Sequence, residues 1–178
     1  MKIIAVIPAR LNSTRLPNKL LRDICGKTLI RRTYEATKNS SLFDDVLVVT
    51  NSEEILKELK NNQIKFLFDK NQYETGTDRI AGIASDIDAD IIINVQGDEP
   101  FINAKTIKLI INVFKNDFDK SVGIVSVMTP ISDDLELNNP NNVKVITDKA
   151  NNAIYFSRYP IPFKSCLLYT SDAADDLW

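Results

Sequence analysis

A chain of 178 residues with 44% apolar and 26% charged side chains is long enough for one packed core, which excludes disordered, fibrous and collagen-like classes. The net charge of −2 conceals an uneven distribution: residues 1–40 hold nine Lys/Arg against Asp23 and Glu35, leaving thirteen against twenty-two acids in the rest. An anion is therefore expected to dock near the N-terminus, while an acidic chain with no basic, aromatic-interleaved helix argues against a nucleic-acid partner.

The first predicted element is a buried strand, Lys2–Ile7. Its apolar run Ile3 to Ile7 is short, and Pro8 and Arg10 close it where a signal peptide would need a cleavage region. No later stretch approaches the roughly 18 apolar residues of a membrane span, so a protein without a membrane partner is expected. Cys25 and Cys166 lie far apart with no Cys-x-x-Cys or histidine partner, a pattern that signals neither a zinc site nor a disulfide framework and fits a reducing cytoplasm.

The segment VIPARLNSTRLPNK, Val6 to Lys19, runs off this strand. In a doubly wound sheet such a loop leaves the carboxyl end of a central strand, where ligands bind. It presents Arg10, Arg15 and Lys19 among the small or polar Ala9, Ser13 and Thr14, and cations with free backbone amides suit a triphosphate. A merely solvated basic loop is the alternative. Neither G-x-x-x-x-G-K-[ST] nor G-x-G-x-x-G is in the sequence, which disfavours ATPase-like and dinucleotide-binding readings.

Downstream, helical periodicity over Leu29–Lys38 is followed by a strand at Val46–Thr50, a helix at Glu53–Asn61 with Asn51 as N-cap and Glu54 three residues on, and a strand at Ile64–Phe68. ETGTDR, Glu74 to Arg79, offers Gly76 for close backbone approach and Thr77 as cap of a helix spanning Asp78–Ser85. A pyrimidine edge needs backbone groups and a hydroxyl or guanidinium, which this loop supplies.

The strand Ile91–Gln96 ends in NVQGDEP, where Gly97 lets the chain turn and Pro100 stops pairing. Asp98 is left at the carboxyl end as candidate magnesium ligand, since magnesium takes one or two carboxylates plus phosphate oxygens. The alternative is an Asp-Glu turn capping the next helix. That helix, Ala104–Phe114 after Asn103, carries a core stripe of Ile107, Ile110, Ile111 and Phe114. Strands are expected at Gly123–Met128 and Val143–Thr147, with an exposed turn or loop at Leu135–Asn142 between them. Alternation of apolar strands with amphipathic helices predicts an α/β, doubly wound, mostly parallel, Rossmann-like sheet.

The ordered set IPAR…STRLP…K, Gly26–Lys27, TGTDR, NVQGDEP, NPNNVKV at Asn139–Val145 and AIYFSRYPIP at Ala153–Pro162 resembles the 3-deoxy-manno-octulosonate (Kdo) cytidylyltransferase family over nearly all of residues 1–163. Sialic-acid cytidylyltransferases are similar, but the RLP-x-K and NVQGDEP wording favours the Kdo family. The resemblance implies a nucleotide-diphospho-sugar transferase-like fold and transfer of CMP from CTP to Kdo, with release of pyrophosphate, for lipopolysaccharide synthesis. It implies that Arg10, Arg15 and Lys19 hold the CTP phosphates, with Pro8, Ala9 and Ser13 among the nucleotide-binding residues. Gly76, Thr77 and Arg79 would lie near the base, Gln96 near the ribose and acceptor, and Arg158 at the sugar pocket. Asp98 would coordinate Mg2+ and, with the three cations, form the catalytic group.

Members of that family continue beyond Ile161–Pro162 into a His-x-Gly-x-Tyr sugar contact, a second metal-binding Asp and a dimer-forming region. None of these is in this sequence, which has no histidine. The expectation is a nucleotide-binding region, 1–163, truncated at its C-terminus, which binds CTP without turning it over, with a homodimer belonging to the full-length form. Residues 164–178 read as non-native read-through, a genuine short tail being the alternative. A non-catalytic nucleotide-binding fragment and a CMP-sialic acid synthetase type of transferase are the competing functions.

Overall fold

The computed structural model describes residues 1–11 and 16–162. The run IIAVIPA forms strand β1 (Ile3–Ala9) at the centre of a four-stranded sheet, its backbone pairing on both sides and all but Pro8 buried. A 3-10 turn at Lys19–Leu21 and a small antiparallel hairpin, β2 (Asp23–Ile24) and β3 (Lys27–Thr28), follow. The two residues at the hairpin's tip, Cys25 and Gly26, have φ of 52° and 82°. Positive φ at both central positions is what a tight two-residue hairpin demands.

Next come α1 (Leu29–Asn39), β4 (Asp45–Thr50), α2 (Glu53–Asn61), β5 (Phe66–Phe68), α3 (Gly76–Ile83), β6 (Ile91–Asn94) and α4 (Ala104–Asn116). The sheet order is β5-β4-β1-β6, with every pairing parallel. Alternation along the strands divides the core. Ala5, Ile7, Val46, Val48, Ile91 and Ile93 pack with Leu29, Ile30, Ile55, Leu59, Ile107 and Ile111 from α1, α2 and α4. Ile4, Val6, Leu47 and Val49 meet Ile80 and Ile83 of α3. Helices cover both faces, as continuous apolar strands require. The expected stripe on α4 is present: Ile107 and Ile111 are buried, and Ile110 and Phe114 pack against the same cluster.

Residues 1–123 form one compact unit and those from 124 on a second. The second contains α5 (Asp134–Asn138) and an antiparallel pair, β7 (Lys144–Thr147) and β8 (Ala153–Ser157). Lys144 is buried there, its ammonium donating to the carbonyls of Asn139 (2.7 Å), Asn142 (3.0 Å) and Arg158 (2.8 Å). No helix among the described residues is long and apolar enough to cross a membrane.

Four local expectations are corrected. Gly123–Met128 is not a strand: nothing among the described residues pairs with it, and Ile124 is 91% exposed, so its β-branched residues lack the ladder that makes a strand. Ser52, not Asn51, caps α2, its hydroxyl accepting from the amide of Ile55 at 3.2 Å. Thr75, not Thr77, caps α3 in a reciprocal box with Asp78, so the helix starts two residues earlier than Asp78. Part of the loop expected at Leu135–Asn142 is the short α5, started by Asp133.

Candidate active site

β1 pairs with β4 on one side and β6 on the other, and the chain order reverses between β1 and β6. Loops leaving the carboxyl ends of two strands at such a reversal diverge to opposite faces and leave a crevice, the usual ligand position of this architecture. After β1 come Arg10 and, further on, Lys19; after β6 come Gln96, Gly97 and Asp98. Lys19 Nζ forms an ion pair with Asp98 Oδ2 across this crevice. Both side chains are 39% exposed, so each remains open to a ligand.

Two glycines bring a second loop onto the end of β1. A Cβ at Gly76 would stand 3.1 Å from Pro8 Cγ, and one at Gly97 would stand 3.2 Å from the carbonyl oxygen of Pro8 and 3.3 Å from both terminal carbons of Leu20. Pro8 is thus packed between the start of α3 and the end of β6. The carbonyl of Gly97 accepts from Thr33 Oγ1 at 2.9 Å, a buried bond that ties the turn before Asp98 to α1. Ala9 is buried beneath the same strand end.

Polar groups bridge the two loops. Gln96 Nε2 donates to Asn94 Oδ1 (3.2 Å), and Asn94 Nδ2 donates to Thr77 Oγ1 (3.4 Å). Arg10 Nη1 donates to the carbonyl of Glu74 at 3.0 Å, holding the segment ahead of α3 against the basic loop. Beside it lies a cavity of about 290 Å³ lined by Arg10, Asn51, Glu54, Gln72, Tyr73 and Arg79 among others. Arg79 is only 3% exposed, and its Nη1 has no hydrogen-bond partner among the described residues. Burial pushes its guanidinium below the ordinary value. Glu54, at the cavity rim, is held below the ordinary glutamate value chiefly by the hydroxyl of Ser52 donating to it at 2.7 Å.

The sequence-predicted residues Pro8, Ala9, Arg10, Lys19, Gly76, Thr77, Arg79, Gln96 and Asp98 are therefore gathered around the carboxyl ends of β1 and β6. Ser13 and Arg15 lie outside the described residues. Arg158 belongs to the second unit, where its Nη1 donates to the carbonyl of Pro140 at 2.9 Å. Sequence reasoning missed the cavity wall formed by Asn51, Gln72 and Tyr73. The signal was available in position: these residues follow the carboxyl ends of β4 and β5, on the same rim as the basic loop.

A bound divalent cation needs oxygen ligands with room for water. Among the described residues no group of three His, Cys, Asp or Glu converges. Asp98 by itself, partly exposed and already facing a cation, fits an ion that keeps most of its coordination for water and phosphate.

Comparison with known proteins agrees with this fold. A cytidylyltransferase family model matches residues 4–167. The 3-deoxy-manno-octulosonate cytidylyltransferase of Flavobacterium johnsoniae is 52% identical over 163 residues, covering 92% of this chain and 67% of that protein. The corresponding protein of Christiangramia forsetii is 46% identical, with coverage of 92% and 66%. Among solved structures, a CMP:2-keto-3-deoxy-manno-octonic acid synthetase complexed with CTP superposes with a TM-score of 0.79 at 33% identity, covering 92% of this chain and 67% of that one. The chain thus spans about two thirds of the length of the relatives it matches, and it belongs to the 3-deoxy-manno-octulosonate cytidylyltransferase family.

Proposed function

We propose that this protein binds CTP at the β1–β6 crevice and transfers its CMP to the anomeric hydroxyl of Kdo, releasing pyrophosphate. The observation that carries the reading is the meeting of Lys19 with Asp98 where β1 and β6 end, cation and carboxylate on opposite sides of the crevice. Arg10 and Lys19, with Arg15 from the same loop, neutralise the triphosphate, and Pro8, Ala9 and Ser13 give backbone and hydroxyl contacts. Gly76, Thr77 and Arg79 border the base, and Gln96 stands near the ribose and acceptor.

No protein nucleophile is needed. The hydroxyl oxygen forms its bond to the α-phosphorus as the bond to the departing pyrophosphate breaks, so positioning and charge neutralisation do most of the work. Asp98 would hold Mg2+, which supplies charge stabilisation on the phosphates and a lowered pKa for a coordinated hydroxyl. Arg158 contributes to the acceptor pocket, and the complete protein works as a homodimer. The free, exposed Cys25 supports a cytoplasmic setting, and the substrate in the relatives' names supports a place in lipopolysaccharide synthesis.

A second reading is that the 178 residues bind CTP without turning it over. It is favoured by the lack of any converging group of three His, Cys, Asp or Glu among the described residues. Pyrophosphate release with CTP, Kdo and magnesium is measured for this chain and for a version extended with the C-terminal third of a matched relative. Release that needs both substrates in the extended version supports the transfer, and release in neither version with Kdo overturns it. Release by the 178 residues themselves removes the second reading.

A further inference from the structure

Arg79 is placed in a way that simple proximity to a nucleotide does not explain. A buried guanidinium normally takes a carboxylate partner. Asp69 is near enough to act on its charge, yet no ion pair joins the two. The carboxylate is already engaged: Asp69 Oδ2 accepts from Tyr73 Oη at 2.6 Å, and Oδ1 accepts from the amide of Asn71 at 3.0 Å. Arg79 lies instead against the Tyr73 ring, with 5.4 Å from its central carbon to the ring centroid, within cation–π range.

The ring in turn depends on a glycine. Gly82 lies inside α3, where glycine is a poor helix former. A Cβ at that position would stand 2.2 Å from Tyr73 Oη and 2.6 Å from two ring carbons. The absence of a side chain at Gly82 is therefore what admits the ring.

We propose that Tyr73 is a positioning residue for nucleotide recognition: anchored by Asp69 and admitted by Gly82, it occupies the carboxylate that would otherwise capture Arg79 and holds the guanidinium at the cavity wall with a donor free for an acceptor oxygen of the nucleotide. This rests on the reading of the crevice as a CTP site. Two features distinguish it from ordinary packing. The phenol oxygen, and not only the ring, matters, because removing it frees Asp69 to pair with Arg79. Gly82 matters only through Tyr73.

The test is CTP affinity by calorimetric titration of the whole chain, with the melting midpoint of every variant recorded. Tyr73→Phe and Gly82→Ala each weaken CTP binding about threefold to tenfold, the scale of one cation–π contact or one partly exposed charge pair. Asp69→Asn added to Tyr73→Phe restores affinity to within about twofold, since the amide cannot capture the guanidinium as a charge. Gly82→Ala added to Tyr73→Ala has no further effect. If Tyr73→Phe and Gly82→Ala bind CTP as the wild type does, or lower only the melting midpoint, the positioning role is overturned. If the wild type does not bind CTP, or Arg79→Ala binds it unchanged, the underlying site reading fails first and takes this role with it.

Discussion

Lys19 and Asp98 stand 79 residues apart in sequence and meet as an ion pair where β1 and β6 run out. A pair this exposed contributes about 0–1 kcal/mol to stability, so each partner can be replaced without unfolding the sheet. Lys19→Ala is expected to leave the melting midpoint nearly unchanged while weakening CTP binding by about 1.5–3 kcal/mol, the range for a hydrogen bond to a charged group. Calorimetric titration beside a thermal melt checks both halves.

Asp98→Asn separates metal from phosphate. Removing the carboxylate charge should leave CTP affinity without magnesium equal to or above that of the wild type, because Lys19 is released to the phosphates. Turnover in the extended enzyme should fall by at least about a hundredfold at saturating magnesium, as for loss of a group that acts through the transition state. Turnover within a few-fold of the wild type would remove Asp98 from the metal.

Glu35 links the hairpin to α1. Lys27 at 2.5 Å and Arg31 at 2.8 Å hold its carboxyl below the ordinary glutamate range. A depressed folded-state value contributes stability that is complete above the ordinary glutamate value and is lost as pH falls through the depressed one. The melting midpoint of the wild type should therefore exceed that of Glu35→Gln by a constant margin near neutrality, and the margin should close on acidification. A margin that grows toward acid would reverse the assignment.

In the second unit, Lys144→Met should destabilise by about 2–4 kcal/mol, because three carbonyls lose a charged donor while the methionine relieves the burial of an ammonium. Urea titration monitored by limited proteolysis of the segment from residue 124 on reads this directly. Lys144→Arg should not rescue it, since a planar fork cannot serve three acceptors gathered around one point.

Much of this was legible in the residues. The continuous apolar runs of β1 and β4 announced strands covered on both faces, and the loops after Ala9 and Asn94 announced the crevice. What was missed depended on tertiary context. Ser52 and Thr75 outcompete Asn51 and Thr77 as caps by one or two positions, their hydroxyls accepting from the amides of Ile55 and Asp78. Gly123–Met128 has the composition of a strand, but a strand exists only with a partner. Arg79 was legible as part of the loop and helix start beside the basic segment. Its burial, its separation from Asp69 and its dependence on Gly82 were not, because they arise from the packing of Tyr73 across α3.

Nucleotide selectivity tests the central claim most directly. CTP, ATP and GTP are titrated into the protein by calorimetry in the presence of magnesium. If, as proposed, Arg10 and Lys19 take the phosphates and the Gly76–Arg79 segment reads a pyrimidine, CTP should bind at least about tenfold more tightly than either purine nucleotide, a difference of about 1.4 kcal/mol. Equal affinity for all three would reduce the site to a phosphate-binding loop, and no binding of CTP would contradict the account.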